Sequence, residues 1–519
     1  MNTKYNIVSV IATGLLVLAG SVNCPADEPN NAPQVLEQRL GHFTHGSAFG
    51  ITRSCSINGC RIAWAESRGG KGIVFVDGQA GLEYEGISPL FFSSDGKRVA
   101  YAAKKGDKWF VVVDGQIGPA YDGIVEGTLV FSSDSKRVAY AAKKGDKWFI
   151  VIDSQAGPEF EGIIKGTPVF SPDGNRVAYG ALKDNKSFVI VDGQIGTEYD
   201  GIGTLTFSCD GKRVAYSAQK GDKWLVVVDG QAGPEYDGTG GLIFNSDSKR
   251  IAYVAEKNNK QLVVVDNQAG PESDGIVKGT LVFSPDGKRV IYGAWKGNKR
   301  LMVVNGQADS EFDGIGDGSL VFSPDGKHMA YAAKKSDKQL VVVDGLPGPE
   351  YDGILKDSLV FGPNGTRIAY VARKGKDDRS QVVVVSPGDR VIKKGEKCFV
   401  VIDGRAGPEY EAVDTLVFSS DGKRVAYIAE KGDKGFVVID DQAEPEYDDI
   451  GFGSLIFNPD GKHVAYVAIK KGSKRFVVID GHLGPEYEEI ACGPVFLKDG
   501  TVEYIAVKGG SLYRVQSKP

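Results

Sequence analysis

Phe170-Ser171-Pro172-Asp173-Gly174-Asn175-Arg176-Val177-Ala178-Tyr179 recurs with small changes along nearly the whole chain, as in Phe283-Ser284-Pro285-Asp286-Gly287-Lys288-Arg289-Val290. Aligned on the Asp or Asn of the turn, the copies fall at Asn58, Asp95, Asp134, Asp173, Asp210, Asp247, Asp286, Asp325, Asn364, Asp421, Asp460 and Asp499, twelve in all. Their separations are 37, 39, 39, 37, 37, 39, 39, 39, 57, 39 and 39 residues. So regular a period marks a repeat architecture, in which each unit buries its apolar faces against its neighbours.

Each copy parses into short strands separated by turn chemistry. In the second, Leu90-Phe91-Phe92 reads as a strand, Ser93-Ser94-Asp95-Gly96 as a turn and residues 98–103 as a second strand. A second turn surrounds Gly106-Asp107, residues 109–113 form a third strand, and Asp114-Gly115-Gln116 leads to a short fourth at Ala120-Tyr121-Asp122-Gly123-Ile124. Runs such as Phe110-Val111-Val112-Val113 are apolar on both faces and need cover on both sides. Blades packed radially supply that cover, and Ala100, Ala102 and Ala103 around Tyr101 offer the small and large residues a crowded seam requires.

The expected fold is therefore all-β: a β-propeller of twelve four-stranded blades of about 39 residues each. A single propeller typically has four to eight blades. The expectation is accordingly two six-bladed discs in tandem, residues 50–275 and 276–519, with seven plus five or one large ring as alternatives. The 57-residue step carries 18 residues beyond 39 around residues 374–397, which read as an added hairpin, either a contact surface or a tolerated surface excursion. The chain ends after the third strand of its last copy, and the 27–49 segment, from Val35 to Phe49, offers the fourth strand that would close a ring.

The Ser-Pro-Asp-Gly-Lys core resembles the WD-like propeller repeat of TolB-type periplasmic proteins, which also occurs in the propellers of prolyl-oligopeptidase-like enzymes. The valine-rich third strand with its Asp-Gly turn, followed by Pro-Glu-Tyr-Asp, is more faintly similar to bacterial Trp-Gly repeats. The resemblance spans the twelve units and implies a propeller fold and an exported protein. It implies no particular function, because one fold carries many.

Export is also what the first residues suggest. Lys4 precedes an apolar stretch from Ile7 to Ala19, and small residues allow cleavage after Ser21 or Ala26, giving a signal peptide at residues 1–26. The stretch is short for a membrane span. Cys24 lacks the Leu-small-Gly/Ala context of a lipidated cysteine, so a soluble periplasmic or extracellular product is expected. In that compartment disulfides can form. Asn58-Gly59 would turn the chain so that Cys55 and Cys60 lie side by side, where they can bridge. Cys209, Cys398 and Cys492 read as unpaired small core residues.

The chemistry carried by the chain argues against catalysis. No Gly-x-Ser-x-Gly elbow is present, and Gly46-Ser47-Ala48-Phe49-Gly50 lacks the spacing. Of the five histidines, His42 and His45 lie near the start, His328 and His463 replace the Arg of the repeat, and His482 is isolated, a distribution unsuited to a metal centre. Asp-Gly in each copy is first a turn former rather than a calcium loop. No catalytic residue, metal or cofactor is expected. The alternative is a carbohydrate-active lyase or hydrolase using carboxylates at the propeller axis.

Charge gives the remaining signal. With a net charge of −5, the chain is not a nucleic-acid binder as a whole. Its second turns are nevertheless rich in lysine. Lys105, Lys108, Lys144, Lys147, Lys186, Lys223, Lys260, Lys299, Lys338, Lys434 and Lys474 would share one propeller face. Asp-Gly-Gln and Pro-Glu-Tyr-Asp, read as the third-to-fourth loop, would make the other face mixed to acidic. The expected function is a rigid binding scaffold for a protein or an anionic envelope polymer, the lysine ring being either its contact surface or a solvated rim. Trp109, Trp148 and Trp224 beside these turns read as blade-packing residues.

Overall fold

A computed structural model describes residues 35–42, 48–56, 59–316, 318–375, 382–385, 390–393 and 397–519. Every regular element among them is a strand. The strands form twelve antiparallel sheets, one per repeat, and a separate two-stranded hairpin. Blade 1 begins with the strand Ala48–Ser56, and blade 12 with Glu489–Phe496. Blade 5 shows the plan: Gly201–Phe207, Val214–Lys220, Lys223–Val228 and Gln231–Tyr236 pair in chain order. The second and third strands are buried in their middles on both sides, as their unbroken apolar runs require.

Buried clusters straddle the seams between sheets. Between blades 3 and 4, Ala141 and Ile150 pack against Tyr179 and Ile190. At ten of the twelve seams an aromatic residue ending one fourth strand meets the tyrosine of the next second strand edge to face, as Phe160 does Tyr179 at 6.1 Å and Tyr236 does Tyr253 at 6.3 Å. The succession does not stop near residue 276. There Ser273 stands in place of the aromatic residue, but Ala252 and Val263 of blade 6 still pack on Tyr292 and Val303 of blade 7. The last sheet meets the first, with Ile505 and Leu512 against Trp64 and Phe75. The twelve sheets thus form one twelve-bladed propeller, turning about 30° per seam, rather than the two six-bladed discs expected. Ring size follows from that wedge angle, and a buried apolar seam joins blades 6 and 7 as it joins the blades on either side.

First strands line the inside of the ring. They lie against the first strands of neighbouring blades, as Gly201–Phe207 does Gly238–Phe244, whereas fourth strands lie against the second strand of the following blade. First strands also come in two lengths, which explains the alternation of 37 and 39. Gly201–Phe207 is continuous, but in blade 3 two extra residues break the strand into Gly123–Ile124 and Val130–Phe131 around a turn. Thr128 repairs the break: its hydroxyl donates to Val125 O at 2.7 Å and accepts the Ala141 amide at 3.0 Å. Blade 10 has the short, continuous form, Ala412–Phe418, so the 57-residue step is a 37-residue unit plus 20, not 39 plus 18. The additional residues lie in the second turn of blade 9 and include the paired strands Val382–Val385 and Arg390–Lys393.

Val35–His42 pairs antiparallel with Ser511–Ser517 and supplies the fourth strand of blade 12. Polar contacts reinforce the seam from blade 12 to blade 1. Glu503, 3% exposed, accepts the Cys60 amide at 2.6 Å and Gln516 Nε2 at 2.7 Å. Arg514 reaches Cys60 O at 3.1 Å and the Asp77 carboxylate at 3.6 Å.

Candidate binding faces

Antiparallel order divides the turns between two faces. First and third turns share one, the aspartate face; second turns and the fourth-to-first connections share the other, the lysine face.

On the aspartate face, the repeated motif builds a clamp across each seam. Ser132 Oγ donates to Asp134 Oδ1 at 2.6 Å and accepts the Arg137 amide, closing the first turn on itself. The Ser132 hydroxyl and Lys136 hold the Asp134 carboxyl down at about 2, and Ser323 and Lys327 do the same for Asp325. Arg137 then leaves its own blade. Its Nε pairs with Asp153 of the third turn at 2.9 Å, its Nη1 donates to Asn175 O of blade 4 at 2.7 Å, and its guanidinium lies 5.5 Å from the centre of the Phe170 ring. Arg98, Arg176, Arg213, Arg250, Arg367 and Arg424 repeat this arrangement. Gly174, at φ 75°, sits so close to the preceding blade that a Cβ would fall 2.5 Å from Asp134 Oδ1.

Four blades depart from this pattern, blade 12 because Asp499-Gly500-Thr501-Val502 has no arginine. Blade 7 has Asn305 in the third turn, so Arg289 has no ion pair there and donates to Gly326 O and Lys327 O at 2.6 and 3.0 Å. In blades 8 and 11 the arginine is His328 or His463, each with Nδ1 at 2.6 Å from the Asp344 or Asp480 carboxylate. Both histidines take the place of a clamp residue, not of a metal ligand set.

The lysine face is not the distinctly basic surface expected. Pro-Glu-Tyr is no loop: Pro234-Glu235-Tyr236 ends the fourth strand Gln231–Tyr236, and the Asp237 that follows emerges beside the second turn. The lysine of that turn meets it. Lys186 pairs with Asp200 at 2.7 Å and Lys299 with Asp313 at 2.8 Å, and Lys108, Lys223, Lys260, Lys338 and Lys434 pair likewise with Asp122, Asp237, Asp274, Asp352 and Asp448. Lys474 pairs with Glu486 at 2.5 Å. The second oxygen of such an aspartate takes an amide of the next blade's second turn, as Asp200 does Gly221 N at 2.7 Å and Asp274 does Gly297 N at 2.7 Å. Both contacts hold the Asp200 carboxyl below its ordinary range, Lys186 contributing most.

Seven of the eleven lysines proposed as a binding ring are thus tied into stitches between blades, and Lys474 into an ion pair within blade 11. Lys105, Lys144 and Lys147 are exposed and make no ion pair among the described residues. Trp109, Trp148 and Trp224 are half-buried at the start of third strands, with Lys143 over the Trp148 ring.

Cys60 and Cys492 are both disulfide-bonded, which corrects the reading of Cys492 as unpaired. Cys55 lies opposite Cys60 in the strand register, but its side chain, like residues 1–26 and Cys24, lies outside the described residues. Cys398 is buried, and Cys209 is in no disulfide and exposed on a turn rather than in the core.

No family model matches the chain, and no curated protein matches it. Among solved structures it is similar to a eukaryotic initiation factor, with 14% identity and a TM-score of 0.34 over 60% of this chain and 91% of that one. It is also similar to TolB from Acinetobacter baumannii, with 14% identity and a TM-score of 0.24 over 50% of this chain and 78% of that one. The propeller architecture itself rests on this chain's own strand pairing and seams.

Proposed function

We propose that this protein is an exported, non-catalytic β-propeller that serves as a rigid binding scaffold for a protein of the cell envelope. The observation that carries this reading is the stitching of both faces. Each turn is held by a side chain of its own blade and by backbone groups of the next, so a partner meets loops that are already ordered and little entropy is lost on docking. Lysines alternate with aspartates over the lysine face, which favours a protein surface of mixed charge over a uniformly anionic polymer. Of the eleven ring lysines, Lys105, Lys144 and Lys147 are left for a partner, and the hairpin of blade 9 belongs to the same set of turns. The export part of the proposal rests on Lys4 and the apolar stretch from Ile7 to Ala19.

The test uses the mature protein immobilised against envelope extract. A defined protein should be retained at low salt and released as salt rises from about 0.1 to 0.5 M, as screening shortens. The variant K105E/K144E/K147E should lose it. Retention of nothing at low salt, or equal retention by the variant, would overturn the proposal.

A further inference from the structure

One cleft departs from the repeat. It opens between the inner strands of blades 8 and 9, has a volume of about 620 Å³, and is walled by Ile315, Gly316, Ala332, Ile354, Leu355 and Leu359. Its size suits a small organic ligand, for which pockets run from about 300 to 1,000 Å³.

The cleft has a cause that can be read residue by residue. In blades with a broken first strand, the residue after Gly-Ile faces a partner on the second strand, and the two are joined by a backbone hydrogen bond. In three blades the pairs are complementary in size: Ile164 fills the space over Gly180, Val277 that over Gly293, and Val467 that over Gly451. Blade 9 pairs Leu355 with Val371 and blade 3 Val125 with Ala141; blade 2, whose first strand is two residues shorter, pairs Ser88 with Ala102. In blade 8 the pair is Gly316 and Ala332, small on both sides; a Cβ built on Gly316 would lie 3.5 Å from the Ala332 methyl and 3.2 Å from Ser319 Oγ. The branched side chain that would have filled the wall is missing.

The side-chain oxygens of Ser319 and Gln339 in the walls are already satisfied. Ser319 Oγ donates to Gly316 O at 2.7 Å and accepts the Ala332 amide at 3.1 Å, and Gln339 Oε1 accepts the Ile354 amide at 2.6 Å. They ask no hydrogen bond of a ligand, so the interior offers chiefly apolar contact, with the Gln339 amide nitrogen its one polar side-chain group to spare among the described residues. Charge enters at the mouth, where Lys334 and Lys356 are exposed and make no ion pair among the described residues, with Asp357 beside them.

We propose that this cleft binds a small anionic amphiphile, a carboxylate on an unbranched apolar chain, whose chain occupies the space vacant at Gly316 and Ala332 and whose head meets Lys334 and Lys356. The site does not depend on a protein partner for the lysine face.

Isothermal titration of the mature protein with decanoate, below its micellar concentration, tests this. One saturable site per chain is expected, with decanol bound at least tenfold more weakly for want of a charge. Ala332→Val recreates the Gly451/Val467 pair of blade 11 and Gly316→Val the residue of blade 7; either should abolish binding while the melting temperature is kept. Lys356→Glu should weaken decanoate at least tenfold and leave decanol unchanged. Absence of saturable decanoate binding, or binding undiminished in Ala332→Val and Gly316→Val, would overturn the proposal.

Discussion

Replacing Arg137 by Ala should open the seam between blades 3 and 4, by an amount the structure allows to be graded. The change removes a charged donor to Asn175 O at 2.7 Å, an ion pair to Asp153 at 2.9 Å and a guanidinium 5.5 Å from Phe170. A hydrogen bond from a charged group contributes about 1.5–3 kcal/mol, an exposed ion pair about 0.2–1 and an exposed cation–π contact about 0.5–1. The Arg137 and Asp153 side chains are 31% and 45% exposed, so the low ends apply and the loss is roughly 2 kcal/mol. Arg289→Ala removes only carbonyl contacts, about 1.5 kcal/mol, and His328→Ala a single carboxylate contact, under about 1 kcal/mol. Hydrogen exchange of the first turn of the following blade reads local opening directly. The three variants should accelerate it about 30-fold, about 10-fold and less than about 5-fold respectively, since 1.4 kcal/mol is a factor of ten. Equal acceleration by all three, or none by Arg137→Ala, would refute the clamp.

Acid should act on the ring before mild alkali does. The turn aspartates such as Asp134 and Asp325 sit near 2 when folded against 3.8 free, so the stability they confer is complete above about pH 4 and is lost as pH falls toward 2; melting temperatures at pH 7, 4 and 2.5 should show a plateau and then a drop. The opposite limb belongs to the buried tyrosines, among them Tyr179, Tyr216, Tyr292 and Tyr504, which burial pushes up to about 12. Unfolded tyrosine loses its proton first, so stability should fall as pH rises from 10 to 12, and phenolate absorbance should appear in one step with unfolding. Deleting residues up to His42 bares the edge of Ser511–Ser517, and light scattering should report association that the intact ring does not show. Replacing residues 375–396 by Gly-Asp, the second turn of blade 2, should leave the melting temperature within about 1 °C, because surface insertions contribute little to stability.

The twelve modules are legible because each writes out its own turn, Ser-x-Asp-Gly-Lys-Arg, and its own apolar runs. Their closure into one ring is not: the boundary copy carries Ser273 where Tyr236 stands in the copy before it, yet Ala252 and Tyr292 still meet there in a buried seam. The lysine face was misjudged for a local reason: Pro-Glu-Tyr reads as a turn, but pairing of Trp224 with Tyr236 makes it strand, which carries the next aspartate to the lysines. The clamp left a trace that sequence reading could have used. Arg98 and Asp114, Arg137 and Asp153, and even His328 and Asp344 stand sixteen apart, a spacing that no hairpin turn requires by itself. The cleft at Gly316 was hidden because a missing side chain matters only once its opposite number, Ala332, is known.

Interchangeable seams make copy number a soft variable. Losing one blade from twelve would ask each remaining junction to widen by only about 3°, from about 30° to about 33°, whereas the same loss from a six-bladed disc would demand about 12°. Duplication or excision of a unit could therefore pass through a folded intermediate of slightly different bore, so that the aperture of this ring is open to gradual tuning by recombination between its near-identical segments.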